Sequence, residues 1–235
     1  MSTVLGFDTA TDDVAVAVVH DGEPLYEAQL GVGEQGGPRH TTGLLGEVEG
    51  AVAAAGGWEA IGRIAVGVGP GSFTGIRVGI ASAKALGLSR TLPVAGVCTL
   101  DALAAGIGEV AGERDRLAVN DARRGEIFVA LYSAAGERLW EPLACRPEVL
   151  AERIATLERP TLCAGSGAVR FRQQLASRSV EIPDGSDPAH RVAARHVCAL
   201  AAMGSGEGPG AVDPIYLRPP DAERWRERGT VKKAG

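Results

Sequence analysis

Gly67-Val68-Gly69-Pro70-Gly71-Ser72-Phe73-Thr74-Gly75-Ile76-Arg77-Val78-Gly79 is the stretch on which the fold turns. Its first residues end an apolar run, Arg63–Gly69, that reads as a buried strand. Its last residues open the apolar, small-residue pattern of a helix near Gly75–Leu88. A glycine-rich passage from strand to helix is a place where backbone N–H groups can cradle an anion. The spacing Gly69-x-Gly71-x-x-x-Gly75 is nevertheless one residue too long for a dinucleotide fingerprint, and no Gly-Lys-Ser/Thr follows. Nor is Ser72 a nucleophile by pattern, since Pro70 and Thr74 stand where the G-x-S-x-G elbow needs glycine. Close packing is the simpler use of these glycines.

Upstream, alternation and turn residues give a strand Thr3–Asp8, a polar turn, a strand Val14–His20, an Asp21-Gly22 hairpin turn and a strand Glu23–Leu30. A Gly-rich loop and a helix near His40–Ala55 follow, and beyond the central stretch comes a short strand Pro93–Val97. The order is βββαβα and a further strand. From about Arg114 it returns as strands Arg116–Asn120, Glu126–Ser133 and Glu137–Ala144, helix Pro147–Leu157, strand Thr161–Ala164 and helix Ala168–Ala176. Asp8-Thr9-Ala10 has a counterpart in Asp121-Ala122-Arg123, and Leu25-Tyr26-Glu27 is echoed by Leu139-Trp140-Glu141. A duplicated α/β lobe is the better account of both echoes. The expected fold is therefore two-lobed and actin-like (ASKHA, RNase H-like), with lobes at 1–100 and 101–218 and a tail at 219–235. The last helix is expected to have room to pack back on the first lobe. Fold alone does not establish function.

Composition narrows the classes. With 235 residues, 45% hydrophobic and 23% charged, the chain reads as a soluble globular protein. Met1–Asp13 lacks a basic start followed by a long apolar stretch, and the run Val14–Val19 is far too short for a bilayer, so a cytoplasmic protein without membrane attachment is expected. Cys98, Cys145, Cys163 and Cys198 are isolated from one another and read as small buried hydrophobes. A net charge of −5 disfavours direct grip on phosphodiesters. The basic residues Arg224, Arg226, Arg228, Lys232 and Lys233 read as a solvated tail.

Asp8 and Asp121 close strands and are followed by turn residues, which leaves two readings, cleft-facing acids and turn-stabilising caps. The run Asp121-Ala122-Arg123-Arg124-Gly125 lacks the glycines needed for close approach to phosphate. Gly165-Ser166-Gly167 reads as a helix-opening turn or the remnant of a nucleoside-side loop. His40, His190 and His196 read as structural, the last two lying on different faces of a helix. On a helical wheel Leu44, Leu45, Val48, Ala51, Val52 and Ala55 form one apolar face, and Gly43, Gly46, Gly50, Ala53 and Ala54 a second, nearly featureless one. Ile76, Ile80 and Ala83 oppose Val78, Ala81, Ala85 and Leu88 on the next helix, with Gly75 and Gly79 spaced for contact. Helices apolar nearly all round are buried on more than one side, either within the lobe or against a partner.

Gly-Pro-Gly-Ser-Phe-Thr-Gly-Ile-Arg-Val-Gly at 69–79 resembles the signature of the TsaB (YeaZ) family. Leu5-Gly6-Phe7-Asp8-Thr9-Ala10 is similar to the family's opening strand, Asp121–Phe128 to its mid-chain motif and Pro214-Ile215-Tyr216-Leu217-Arg218 to its closing one. The resemblance runs from about residue 3 to 218. It implies a degenerate actin-like subunit that pairs with catalytic TsaD, aided by the ATPase TsaE, to place threonylcarbamoyl on adenosine 37 of tRNA. Such a subunit has no catalytic residue or metal of its own, self-associates when alone and meets tRNA only through the complex. The partner interface it implies comprises His40, Gly43, Leu44, Val48, Ser72, Phe73, Thr74, Gly75, Ile76, Arg77, Gly79 and Ile80, with Gly79 admitting the partner. A vestigial nucleotide cleft would comprise Asp8, Thr9, Asp121, Arg123, Gly165 and Gly167, with no tightly bound cofactor and room for ATP or ADP there or at the partner interface. His40-Thr41 departs from the family's His-Ser, and Leu44 stands where TsaD carries its second metal-binding histidine. An autonomous ATP-dependent kinase or carbamoyltransferase is the rival reading. A metalloprotease lacks its HExxH helix.

Overall fold

Six consecutive buried residues, Thr3–Asp8 (β1), form the strand about which the first half is organised. In the computed structural model, which describes residues 3–31, 43–204, 208 and 211–218, β1 pairs antiparallel with Val14–His20 (β2) and parallel with Arg63–Gly67 (β4). Strand Glu23–Leu30 (β3) closes one edge and Val94–Val97 (β5) the other, in the order β3-β2-β1-β4-β5. The β2–β3 turn has positive φ at both Asp21 and Gly22, the geometry that a right-twisted two-residue hairpin requires.

The second half repeats the plan. Asp115–Arg123 (β6), Glu126–Tyr132 (β7), Arg138–Cys145 (β8), Thr161–Ala164 (β9) and Val180–Glu181 (β10) form a sheet of order β10-β9-β6-β7-β8. The parallel and antiparallel pairings match those of the first sheet strand for strand, so the duplication read from the sequence is a property of the fold.

Helices Leu44–Ala54 (α1) and Phe73–Arg90 (α2) cover the outer face of the first sheet, α1 over β2 and β3, α2 over β4. Their apolar residues Leu44, Val48, Ala51, Val52, Ile76, Ile80 and Ala83 join Leu5, Phe7, Val14, Val16, Ile64 and Val66 in one core. Pro147–Ile154 (α4), Ser166–Arg170 (α5) and Arg172–Leu175 (α6) serve the second half. The expected helix Ala168–Ala176 is thus two short pieces that meet at Phe171.

Between the sheets lie two further helices, Thr99–Ala111 (α3) and Ala194–Met203 (α7). No element is expected from the sequence at α3. This helix follows the first sheet in the chain yet packs on β6, β9 and β7 of the second, while α7 packs on β1, β2 and β4 of the first. α3, at the junction of the expected lobes, thus covers the inner face of the second sheet and α7, from the second lobe, that of the first, and their side chains form the central core with Val4, Ala17, Ala118 and Ala130.

Several expectations need correction. The helix near His40–Ala55 is described as Leu44–Ala54, and His40 lies outside the described residues, as does the basic tail. Leu45, assigned by the wheel to the core face, is 55% exposed, because the sheet takes only the narrower stripe through Leu44, Val48, Ala51 and Val52. His190 and His196 do not share a helix. His190 sits in a short 3-10 turn, where its Nδ1 accepts from the Gly165 N–H at 3.1 Å, and His196 is on α7. The cysteines are free; Cys98, Cys163 and Cys198 are buried as expected, and burial pushes the Cys98 and Cys198 thiols up to about 12, but Cys145, at the end of the edge strand β8, is only half-buried.

Candidate functional site: an interlobe cleft and an outer helical face

Where the two sheets open toward one end, four chain segments line a cleft of about 450 Å³. They are the β1–β2 turn (Ala10, Thr11, Asp12), the start of α2 (Gly71–Thr74), the β6–β7 hairpin (Asn120–Arg124) and the segment 215–218, joined by Phe128 and Ser166. The β4–α2 passage is shaped by close approach. A Cβ on Gly71 would lie 2.1 Å from the Ala10 carbonyl oxygen, and one on Gly75 would lie 1.9 Å from that of Thr9. Ser72 caps α2, its Oγ accepting from the Gly75 N–H at 3.3 Å.

Asp8 does not face this cleft. It is fully buried, its Oδ1 accepts from the Ala10 N–H at 2.7 Å, and its Oδ2 accepts from the Thr99 hydroxyl at 2.7 Å. Burial raises its carboxyl above the usual range, partly offset by those two donors. Oδ2 also fills the space over Gly67, where a Cβ would lie 1.8 Å away. Asp8 therefore ties β1, β4 and α3 together, the cap reading of the two left open. Thr9 is likewise internal, its hydroxyl donating to the Gly75 carbonyl at 2.7 Å.

Asp121 does line the cleft, as the spent half of a local network. Its Oδ1 accepts from the Arg123 N–H at 2.9 Å and its Oδ2 pairs with Arg170 at 2.6 Å. Arg123, at a positive φ, reaches across to Asp12 on the other half. Gly165 and Gly167 are held by close backbone approach, to the Val119 carbonyl and to Asn120, and present no open loop. Among the described residues no group of three or more His, Cys, Asp or Glu side chains is placed to hold a metal ion. With Asp8 turned inward and Asp121 tied to Arg170, these residues do not fit a metal-bound nucleoside triphosphate.

The segment 212–218, which is not among the expected site residues, is a strap across the cleft. Ile215 donates its N–H to the Val68 carbonyl at 2.8 Å on the first half. Tyr216 packs against Phe73, ring centroids 5.1 Å apart, and its hydroxyl accepts from Arg77 Nε at 3.2 Å. Arg218 then reaches the second half, donating to Glu126 at 2.6 Å and to the Ala122 carbonyl at 2.5 Å. The available signal was Pro214-Ile215-Tyr216-Leu217-Arg218, an aromatic and a cation close together in an otherwise plain segment.

The outer surface of α1 and α2 is of another kind. Leu45 and, at 72% exposure, Leu88 stand out among Gly46, Ala53, Ala54, Ala81 and Ala85, all exposed, with Arg77 also exposed and Val78 half-buried. Of the expected interface residues, Leu44, Val48, Gly75, Ile76, Gly79 and Ile80 are buried beneath this surface, while Gly43 is half-buried. Ser72, Phe73 and Thr74 belong to the cleft mouth. A Cβ on Gly79 would lie 2.4 Å from Thr9 Oγ1, so this glycine admits the chain's own β1–β2 turn.

A family model described as TsaD, tRNA N6-adenosine threonylcarbamoyltransferase, matches residues 32–161. The tRNA threonylcarbamoyladenosine biosynthesis protein TsaB of Escherichia coli K12 is 31% identical over 222 residues, covering 92% of this chain and 94% of that protein. A Mycobacterium tuberculosis protein without an assigned function is 35% identical over 225 residues, covering 95% of each. The crystal structure of YeaZ from Pseudomonas aeruginosa superposes with a TM-score of 0.75 at 27% identity, over 92% of this chain and all of that one. A second Pseudomonas aeruginosa structure, described as similar to peptidase YeaZ, gives 0.77 at 29% identity over 93%. The paired five-stranded sheets, the cross-packed helices and these likenesses together make the fold the two-lobed, actin-like α/β one, and the chain a member of the TsaB family within the wider group that the TsaD model describes.

Proposed function

We propose that this chain acts in tRNA threonylcarbamoyladenosine formation as the non-catalytic subunit. In this reading it docks a catalytic TsaD-type protein through the outer face of α1 and α2, works with the ATPase TsaE, and reaches tRNA only inside that complex in the cytoplasm. Alone, it pairs with a second copy of itself. The observation that carries the reading is the outer faces of α1 and α2, where Leu45 and Leu88 are exposed beside Gly46, Ala53, Ala54, Ala81 and Ala85, with Glu49 and Arg90 exposed on the same helices. Small residues let another backbone approach, and exposed apolar area of this kind marks an interaction site. The inward Asp8 and the neutralised Asp121 speak against autonomous phosphoryl transfer, which requires metal-facing acids and a phosphate cradle.

Replacing Gly79 would confound docking with folding, because it packs on Thr9. The exposed Ala85 avoids this. Ala85→Arg is expected to leave the unfolding transition of the isolated chain unchanged and to abolish 1:1 association with the TsaD subunit in light scattering. Full association of the variant would remove this face from the reading.

A further inference from the structure

We propose, resting on the docking reading above, that Arg77, held against Phe73 by Tyr216 of the strap, anchors a carboxylate of the docked TsaD-type subunit. Arg77 lies on one exposed stripe of α2 with Ala81, Ala85 and Leu88, spaced four, four and three residues apart, and is the charged member of that set. Its guanidinium carbon sits 3.8 Å from the centre of the Phe73 ring, and its Nε donates to the Tyr216 hydroxyl at 3.2 Å. Tyr216 is itself fixed. Its ring packs on Phe73 with centroids 5.1 Å apart, and the neighbouring Ile215 N–H is bonded to the Val68 carbonyl at 2.8 Å. The orientation of this cation is therefore set by the strap as well as by its own helix.

Nothing in α2 neutralises it, since the helix carries no Asp or Glu and its dipole favours anions rather than cations toward this end. Among the described residues the partners of Arg77 are Phe73 and Tyr216, and no carboxylate is one of them. The arginines around the cleft differ in this respect: Arg123 pairs with Asp12, Arg170 with Asp121 and Arg218 with Glu126. With Nε spent on Tyr216, Nη1 and Nη2 remain as a fork of donors, which a carboxylate fills with two parallel hydrogen bonds. Stacking and the Nε bond already restrict the side chain, so pairing costs it less freedom than it would cost a loose arginine. The rest of the stripe is small or apolar, so a subunit that covers Ala81, Ala85 and Leu88 takes Arg77 out of water and has to supply its counter-charge.

The test is calorimetric titration of the full chain with the cognate TsaD subunit at about 0.1 M and about 1 M salt, where the Debye length is about 10 and about 3 Å. Arg77→Gln is expected to weaken association at least about tenfold at the lower salt, the loss of one charged hydrogen-bonded pair, and to remove most of the salt dependence. Arg77→Lys keeps the charge without the fork, so it should fall between Arg77→Gln and the parent and stay salt-dependent. Tyr216→Phe keeps the ring on Phe73 and removes the acceptor for Nε, and should weaken association about two- to tenfold. Arg90→Gln removes another exposed cation of α2 and should change it less than about twofold. An Arg77→Gln chain that unfolds like the parent and binds as tightly, or an equal loss in Arg90→Gln, would overturn the anchor. Parent affinity in Tyr216→Phe would overturn its positioning by the strap. Loss of association in Ala85→Arg with none in Arg77→Gln strikes the anchor alone, whereas full association of Ala85→Arg strikes the docking face itself.

Discussion

Replacing Asp8 by alanine separates a structural clamp from a cleft acid. In the clamp reading the carboxylate is the acceptor for two buried donors, the Thr99 hydroxyl and the Ala10 N–H, each at 2.7 Å. Asp8→Ala strands both, and an unpaired buried polar group costs about 1–3 kcal/mol. The expected loss is therefore about 2–6 kcal/mol, with each kcal/mol worth about 2–4 °C of Tm in a chain of this size. Asp8→Asn keeps an oxygen for the Ala10 N–H but turns an amide donor toward the Thr99 hydroxyl, which donates to Asp8 and already accepts from the Gly69 N–H at 3.1 Å, so it strands one donor rather than two and should cost about 1–3 kcal/mol, less than Asp8→Ala. Acidity gives a second readout. Burial raises the folded pKa, so the unfolded chain gives up this proton more easily. The stability Asp8 contributes is full below its ordinary value near 3.8 and is lost as pH rises through the raised folded value. Asp8→Asn should remove that slope. Urea melts of the three proteins from acid to neutral pH measure all of this. An Asp8→Ala protein as stable as the parent would refute the clamp and return Asp8 to the list of ligand-facing acids.

Further outcomes follow from the same packing. Gly75→Ala puts a methyl 1.9 Å from a backbone oxygen, whereas Gly79→Ala meets the Thr9 hydroxyl at 2.4 Å, which can rotate away if it gives up its bond to the Gly75 carbonyl. Gly75→Ala should thus be the more damaging in denaturant melts, at about 3 kcal/mol or more against about 1–3 kcal/mol. Gly46→Ala, exposed in α1 with nothing within 4 Å, should raise stability by about 0.5–1 kcal/mol through helix propensity, and a loss there would mean the surface is not open in the lone chain. His196 has its pKa lowered by burial and by Arg195, with Glu109 and Glu27 acting the other way. The unfolded chain then binds that proton more tightly, so stability should fall as pH drops from about 6.5 toward the lowered folded value. His196→Gln should flatten that slope, and an unchanged slope would place the titration elsewhere.

What the sequence disclosed depended on whether the signal was local. The hairpin at Asp21-Gly22, the meander strands and Thr161–Ala164 were legible because period-2 alternation and turn residues act within a few positions. The repeat was legible for the same reason, each half carrying its own copy of the pattern. α3 was not, since Leu100, Ala102, Leu103, Ala104 and Ile107 are buried between the sheets, its sequence is mostly Ala, Gly and Leu with Asp101 and Glu109 as its charges, and its N-cap Cys98 makes no side-chain cap to mark where it begins. Leu45 went to the wrong side because a wheel gives a helix's faces without saying how wide a stripe the sheet accepts. At the site, Asp8 and Asp121 were visible as residue types, but their direction depended on Thr99 and Arg170, 91 and 49 positions away.

The central claim is that this subunit docks a working relative and performs no catalysis alone. It is tested most directly by measuring ATP turnover and threonylcarbamoyladenosine formation on tRNA with the purified chain, with TsaD and TsaE, and with all three. The account predicts no turnover by the chain alone, activity in the full mixture, and loss of that activity when Ala85→Arg replaces the parent. Repeated turnover by the chain alone would contradict it.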